Sequence, residues 1–206
     1  MSVITIENAI PYSLCLAAEA AWPAPDWPYW HRYNGATANK FGTMDRGRIP
    51  PACLAALDAL ALAVIPHIGD SFIDYDLHAA GLHMMPPGGF LGRHLDAECH
   101  PIQLWKRTHS IVMSVNSKWD TSRFGGELRV EPDIVLEPAI GRAVIFDTPE
   151  TWHEVLPVTT CESVCCNPYR KTLALFAWRQ LRAGEYHPDA THSATFRKAD
   201  RASSSI

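Results

Sequence analysis

Three side chains of this sequence are candidates for holding a metal. They are His94 and Asp96 in Gly92-Arg93-His94-Leu95-Asp96, and His153 in Thr151-Trp152-His153-Glu154-Val155-Leu156-Pro157. Two imidazoles and one carboxylate cover one face of an octahedral ion and leave the opposite positions open. Non-haem Fe(II) sites use that set to bind a co-substrate and O2 at the same ion. The spacing suits β structure, because residues i and i+2 of a strand point to one side. His94 and Asp96 then converge while Leu95 turns into the core, and His153 arrives from a distant strand, as a closed or sandwiched β fold allows. A His-x-Asp triplet alone is a weak signal, since a surface His and Asp sharing a hydrogen bond look the same. The residues around it decide.

A ferrous ion held this way needs an electron donor. A 2-oxo acid supplies one by chelating the metal through its keto and carboxylate oxygens, and its far carboxylate then needs a cation. Arginine suits that task because its fork grips a carboxylate bidentately. Such a residue opens the apolar run Tyr169-Arg170-Lys171-Thr172-Leu173-Ala174-Leu175-Phe176-Ala177-Trp178. Arg170 and Thr172 share a face of that strand, so a guanidinium and a hydroxyl can meet the same carboxylate. Lys171 faces the other way and is the second choice. A solvated Arg-Lys pair entering a strand is the plain alternative.

The elements that must position these groups are legible in outline. Ser13 to Ala21 reads as a short Ala-rich helix, and Pro23, Pro25 and Pro28 preclude a regular helix after it. Pro50-Pro51 opens a second helix with Leu54, Leu57, Leu60, Leu62 and Ile65 near helical spacing, stopped at Pro66. From Phe72 the texture turns to β, with apolar runs at 72–77, 81–85, 110–116, 126–130, 134–136, 143–147, 154–159 and 172–178, separated by Gly, Pro and Asp. The expected architecture is mainly β with N-terminal helices, a jelly-roll sandwich with the helices on one outer face. Residues 1–70 read as a helical and aromatic extension, 71–182 as the catalytic domain, and 183–206 as a polar tail.

Composition narrows the function classes. The chain has 206 residues, 47% hydrophobic and 19% charged, enough for a core without disulfide staples. A net charge of -4 supplies no basic field for nucleic acid or anionic lipid. No apolar run approaches the roughly 20 residues that cross a bilayer. The N-terminus lacks the basic-then-apolar order of a signal peptide, and the six cysteines read as reduced thiols. A cytoplasmic protein with no nucleic-acid or membrane partner is the expectation.

Four segments, in order, resemble the prolyl-hydroxylase branch of the 2-oxoglutarate/Fe(II) dioxygenases. They are Pro86-Pro87-Gly88-Gly89-Phe90-Leu91-Gly92-Arg93-His94-Leu95-Asp96; Arg107 to Asp120, with Val115-Asn116-Ser117-Lys118-Trp119-Asp120; Gly125-Gly126-Glu127-Leu128-Arg129-Val130-Glu131-Pro132; and Gly141-Arg142-Ala143-Val144-Ile145-Phe146-Asp147 followed by His153 and Arg170. The resemblance implies a double-stranded β-helix (jelly roll, cupin-like). It implies His94, Asp96 and His153 on Fe(II) and Arg170 on 2-oxoglutarate, with O2 as second co-substrate and ascorbate supporting turnover. Thr172 and Ser114 fall beside the oxo acid. Family members usually carry a Tyr where Met85 stands, and many have another at the position of Ser114, so those co-substrate contacts differ here. Arg107 and Trp119 are the candidates for contact with substrate, though Arg107 can equally pair with an acidic neighbour. A carboxylate at Asp96 argues against halogenation, because halogenases leave that position small to admit chloride.

Other residues carry plainer readings. Cys161, Cys165 and Cys166 lack the paired spacing of a zinc site and read as free thiols in a loop. His78, His83, His100, His109 and His187 read as structural or exposed, with His83 and His109 also candidates for the cleft. The stretch Trp27 to Tyr33 either packs onto the sheet or forms a lid, with Arg32 and Lys40 as possible contacts to an acidic substrate group. The expected activity is hydroxylation of an unactivated C–H bond, on a prolyl or other side chain of a peptide or protein, a free amino acid, or another small molecule. A non-catalytic cupin-like module and an oxidative demethylase of a small molecule or nucleobase are the alternatives.

Overall fold

Proline sets the first boundaries. In this computed structural model, which describes residues 3–43, 45–78, 80–100, 102–148, 150–159, 168–185 and 195–196, α1 (Tyr12–Ala20) follows Pro11, and α2 (Pro51–Val64) begins at Pro51. Proline is tolerated at a first helical position because that N–H has no partner within the helix. Pro66 falls in a short 3-10 turn that ends α2. Cys15 and Ala18 of α1 and Cys53, Ala56, Leu57, Leu60 and Val64 of α2 are the buried faces.

The strands are β1 (Val3–Ile6), β2 (His31–Asn34), β3 (Ala38–Gly42), β4 (Phe72–Ile73), β5 (Gly81–Met85), β6 (Phe90–Leu95), β7 (Trp105–Ser114), β8 (Leu128–Val130), β9 (Ile134–Leu136), β10 (Ala143–Asp147), β11 (His153–Val155), β12 (Arg170–Gln180) and β13 (Thr195–Phe196). A four-residue helix, α3 (Thr121–Phe124), precedes β8. The strand pairs are antiparallel, and the sheet runs β1-β10-β7-β12-β5-β3-β6-β11-β8-β9. Curled on itself, this sheet is the double-stranded β-helix expected from the sequence.

Alternation along the strands divides the interior in two. Ile111 and Met113 of β7, Ala143 and Ile145 of β10, and Leu173 and Leu175 of β12 face the helices and join Leu57, Leu60 and Val64 in one core. Val112, Val144 and Phe146 point the other way, into the curl, with Met85, Leu128, Val130, Val155 and Val158. Period-two alternation with both faces covered is what makes these strands apolar throughout.

Three strands precede the region where the sequence turns visibly to β. β1 pairs with β10, and β3 lies between β5 and β6. The segment 1–70 therefore contributes strands to the sheet as well as helices to its back. Trp30 is buried in the helix-facing core, its indole N–H donating to the Ala24 carbonyl at 2.8 Å. Trp27 packs against the same core, while Tyr29 is 47% exposed.

Candidate metal centre

β6 delivers His94, and Asp96 follows directly after the strand. β11 lies antiparallel against β6 with His153 opposite His94. From His153 to Val155 the partner moves from His94 to Leu91, so β6 carries one extra residue there. That β-bulge turns both Leu91 and His94 into the curl. Gly92 sits in it, and a Cβ there would stand 2.9 Å from the Thr37 carbonyl oxygen, so only glycine fits without displacement.

One ligand atom from each of His94, Asp96 and His153 lies within 4.8 Å of the others. His94 Nε2 is 3.3 Å from Asp96 Oδ1, and His153 Nε2 is 3.7 Å from Asp96 Oδ2. The proton positions carry the chemistry. His94 Nδ1 faces the Gly92 carbonyl at 2.8 Å and His153 Nδ1 the Thr151 carbonyl at 3.0 Å. A carbonyl only accepts, so both Nδ1 atoms carry hydrogen, and in the neutral rings that a metal requires both Nε2 lone pairs turn toward the carboxylate. Burial lowers the His153 pKa to about 4, although Asp96 opposes the shift, so this ring is neutral at ordinary pH. Burial alone would raise the Asp96 pKa, but His153, His94 and Arg107 outweigh it and hold the group well below its usual range. Electron pairs thus converge on a buried point. A divalent cation satisfies that arrangement, and the two carbonyls fix the tautomer that offers Nε2 to it.

The carboxylate is itself held. Ser110 donates a short hydrogen bond to Asp96 Oδ2, and Arg107 Nη1 stands 3.5 Å from the same oxygen. Arg107 is only 4% exposed and lies flat against Phe176, 3.6 Å from guanidinium carbon to ring centre, with Trp178 at 4.8 Å. A bulge aims it. His109 pairs with Ala177 but Arg107 with Trp178, so Thr108 is the extra residue and Arg107 turns inward. Ser110 was missed from sequence. Its alternation with Val112 and Ser114 on the inner face was the available signal.

Arg170 is buried, with Nε donating to the Gly126 carbonyl at 2.8 Å and Nη1 to Thr172 Oγ1 at 2.6 Å. Gly126 has φ +77, and a Cβ there would meet Arg170 Cδ at 3.0 Å. Trp119 backs the same turn, its indole N–H bonded to the Gly125 carbonyl at 2.9 Å. Burial lowers the Arg170 pKa to about 10, with Glu127 opposing, which leaves it fully charged. Ser114 pairs with Thr172 across β7 and β12. Ser114 and Arg170 line one narrow cavity of about 10 Å³ with Val112, Leu128 and Val144. Lys171 points away, its Nζ donating to the Glu19 carbonyl on α1 at 3.2 Å.

A second group of metal-ligand residues, Asp74, His78 and His100, also clusters within 4.8 Å. Its protons are arranged the opposite way. His100 Nδ1 accepts from the backbone N–H groups of Ile102 at 3.1 Å and Gln103 at 2.9 Å. The hydrogen of that neutral ring therefore sits on Nε2, which donates to Asp74 Oδ2 at 3.3 Å. Asp74 also accepts from the backbone of Asp76 and His78. This is a hydrogen-bonded knot with no Nε2 lone pair from His100 to give, in keeping with a structural reading of His78 and His100. His109 stands near Asp147 at 3.6 Å on β7, and His83 faces the curl opposite Thr172. Cys161, Cys165, Cys166 and His187 lie outside the described residues.

Residues 80–178 match the family described as the 2OG-Fe(II) oxygenase superfamily. Among solved structures, the chain is similar to a Pseudomonas putida prolyl-4-hydroxylase, with 26% identity over 87% of this chain and 92% of that one and a TM-score of 0.59. It is also similar to a Trichoplax adhaerens prolyl hydroxylase in complex with a hypoxia inducible factor oxygen degradation domain peptide fragment (16% identity, 85% and 83% covered, TM-score 0.63). A Burkholderia pseudomallei oxidoreductase of the 2OG-Fe(II) oxygenase family is a third (21%, 85% and 84%, 0.57). No curated protein sequence matches. The family match covers just under half of the chain, and together with the shared fold and the likeness to a prolyl-4-hydroxylase it supports a 2-oxoglutarate/Fe(II) dioxygenase of the prolyl hydroxylase-like branch, a group whose chemistry uses Fe(II), 2-oxoglutarate and O2.

Proposed function

We propose that His94, Asp96 and His153 hold the iron, that Arg170 with Thr172 and Ser114 receives the far carboxylate of 2-oxoglutarate, and that the enzyme hydroxylates a prolyl or other amino-acid side chain in a peptide, or the corresponding free amino acid. The observation that carries this reading is the convergence of the two imidazole Nε2 lone pairs on a buried carboxylate, with both Nδ1 hydrogens committed to carbonyls. With iron bound, one oxygen atom of O2 enters the substrate C–H bond as hydroxyl while 2-oxoglutarate is oxidised to succinate and CO2. The chain's own residues do the positioning. Ser110 and Arg107 fix the Asp96 carboxylate, and the Gly126 carbonyl orients the Arg170 fork toward the cavity it shares with Ser114. The apolar wall of Val112, Leu128 and Val144 keeps water from competing with the oxo acid for the guanidinium.

A peptide substrate is supported by the likeness to prolyl hydroxylases, one of them solved with a peptide bound. The test is succinate release with Fe(II), 2-oxoglutarate and ascorbate, run with proline-containing peptides and free amino acids, and mass spectrometry for one added oxygen atom. Release of succinate that rises with one of these substrates is expected. An inert protein that nonetheless binds iron and 2-oxoglutarate would overturn it.

A further inference from the structure

β3 brings a third cation to the inner face. Gly42 pairs with His83, His83 with Thr172, and Thr172 with Ser114, so these four share one face of the sheet. Lys40, two residues before Gly42, and Arg170, two before Thr172, point to that same side. Arg170 pairs with Met85, and carrying the β3–β5 register two residues further sets Lys40 opposite Met85 as well. The two cations therefore end one cross-strand row, on the order of 10 Å apart with Met85 between them. The Lys40 ammonium lies in the field of Asp96, His153 and Arg170. Its ammonium stands over the Tyr33 ring, 5.2 Å from the ring centre, and among the described residues it has neither a hydrogen bond nor an ion pair. Lys40 is half-buried, and partial withdrawal from water lowers its pKa to about 8.

An ammonium partly withdrawn from water on a face that also carries Arg170 favours an anion beside it. Asp96 is the carboxylate near it, and the reading above commits Asp96 to iron. Iron, Arg170, Arg107 and Lys40 together carry one more positive charge than Asp96, Glu127 and dianionic 2-oxoglutarate. We infer that Lys40 is a specificity-determining residue that receives a carboxylate of the substrate beside the iron. The preferred substrate is thus acidic near the hydroxylated carbon.

This inference rests on the iron and 2-oxoglutarate site proposed above. It is tested by binding rather than turnover, on protein loaded with Mn(II) and 2-oxoglutarate, by water-proton relaxation. The probes are N-acetyl-glutamate against N-acetyl-glutamine, and the capped peptide acetyl-Glu-Pro-Gly-amide against its Gln counterpart. In at least one pair the acid binds about 10- to 100-fold tighter, the worth of a hydrogen bond to a charged group. Lys40→Gln and Lys40→Met erase the preference, Lys40→Arg keeps it, and 2-oxoglutarate affinity holds in all three. The inference is overturned if wild type shows no preference in either pair, including no binding, or if Lys40→Gln retains the preference. It is also overturned if Lys40→Gln weakens 2-oxoglutarate and the acid together, which would give Lys40 to the co-substrate. Failure of wild type to bind Mn(II) or 2-oxoglutarate would instead overturn the underlying site.

Discussion

At the scale of single residues, what distinguishes the two His–His–Asp groups is where one hydrogen sits. His94 and His153 give Nδ1–H to the carbonyls of Gly92 and Thr151, while His100 takes backbone N–H groups on Nδ1 and gives Nε2–H to Asp74. The same residue types are therefore a candidate ligand set in one place and a structural knot in the other. His94→Ala or Asp96→Ala should abolish both turnover and tight Mn(II) binding. His100→Ala should leave one metal bound per chain and instead cost about 1–3 kcal/mol of stability by orphaning buried polar groups; loss of metal in that variant would refute the distinction. Acid should act through the same protons. The folded His153 pKa is about 4 against an unfolded value near 6.5. Between those values the unfolded chain binds more protons, so the stability of metal-free protein is full above pH 6.5 and falls as pH drops toward 4. Asp96 adds a loss in the same direction at still lower pH. Thermal melts of the metal-free protein across that window should flatten in His153→Gln.

Among the elements, register and bulges decide what reaches the curl. The extra residue of β6 near Gly92 and the extra Thr108 of β7 reverse the alternation of their strands, and these aim His94 and Arg107 inward. Gly126 does a similar job for Arg170, and Gly126→Ala should raise the KM for 2-oxoglutarate severalfold with metal binding intact. Arg170→Ala should raise that KM on the order of 10²-fold, by removing a buried charged partner. Lys171→Ala should leave it alone, because its ammonium serves the Glu19 carbonyl. Titrating 2-oxoglutarate in the three variants checks this, and an effect at Lys171 would reassign the anchor. Apolar alternation made β5, β10 and β12 legible in sequence, and proline placement did the same for both long helices. His94, Asp96, His153 and Arg170 were legible as residue types at suggestive spacings. β2 and β3 were not, since Tyr33-Asn34-Gly35-Ala36-Thr37-Ala38-Asn39-Lys40 is polar and reads as loop until β5 and β6 flank it. Arg107 was open between substrate and an acidic neighbour because a bulge leaves no mark on periodicity. The Asp74 knot joins Asp74 and His78, four residues apart in one loop, to His100 from another, and no local spacing announced that last contact.

Over the whole molecule, one sheet carries two cores with different duties. The helix-facing core, with Leu57, Leu60 and Val64 against Ile111, Met113, Leu173 and Leu175, stabilises the fold without touching the candidate ligands. The inner one, with Val130, Phe146 and Val155, packs round them: Phe146 lies against His153 with ring centres 4.6 Å apart and the ring planes tilted by 57°. The two should separate in experiment. Leu60 is fully buried, so Leu60→Ala removes its transfer energy and opens a cavity, costing about 2–5 kcal/mol. In a chain of this size that lowers Tm by on the order of 10 °C. Strand positions are shared between the cores but side chains are not, so Mn(II) and 2-oxoglutarate affinity should be unchanged below the melt. Ligand bound only by the folded state then stabilises wild type and variant equally, by about 2.7 kcal/mol at a hundredfold excess over Kd. Differential scanning of both proteins, with and without Mn(II) and 2-oxoglutarate, should give two shifted pairs of curves with the same ligand-induced increment. An increment that shrinks in Leu60→Ala would mean that the helical core sets the geometry of the ligand strands, and the division of labour between the two faces would fail.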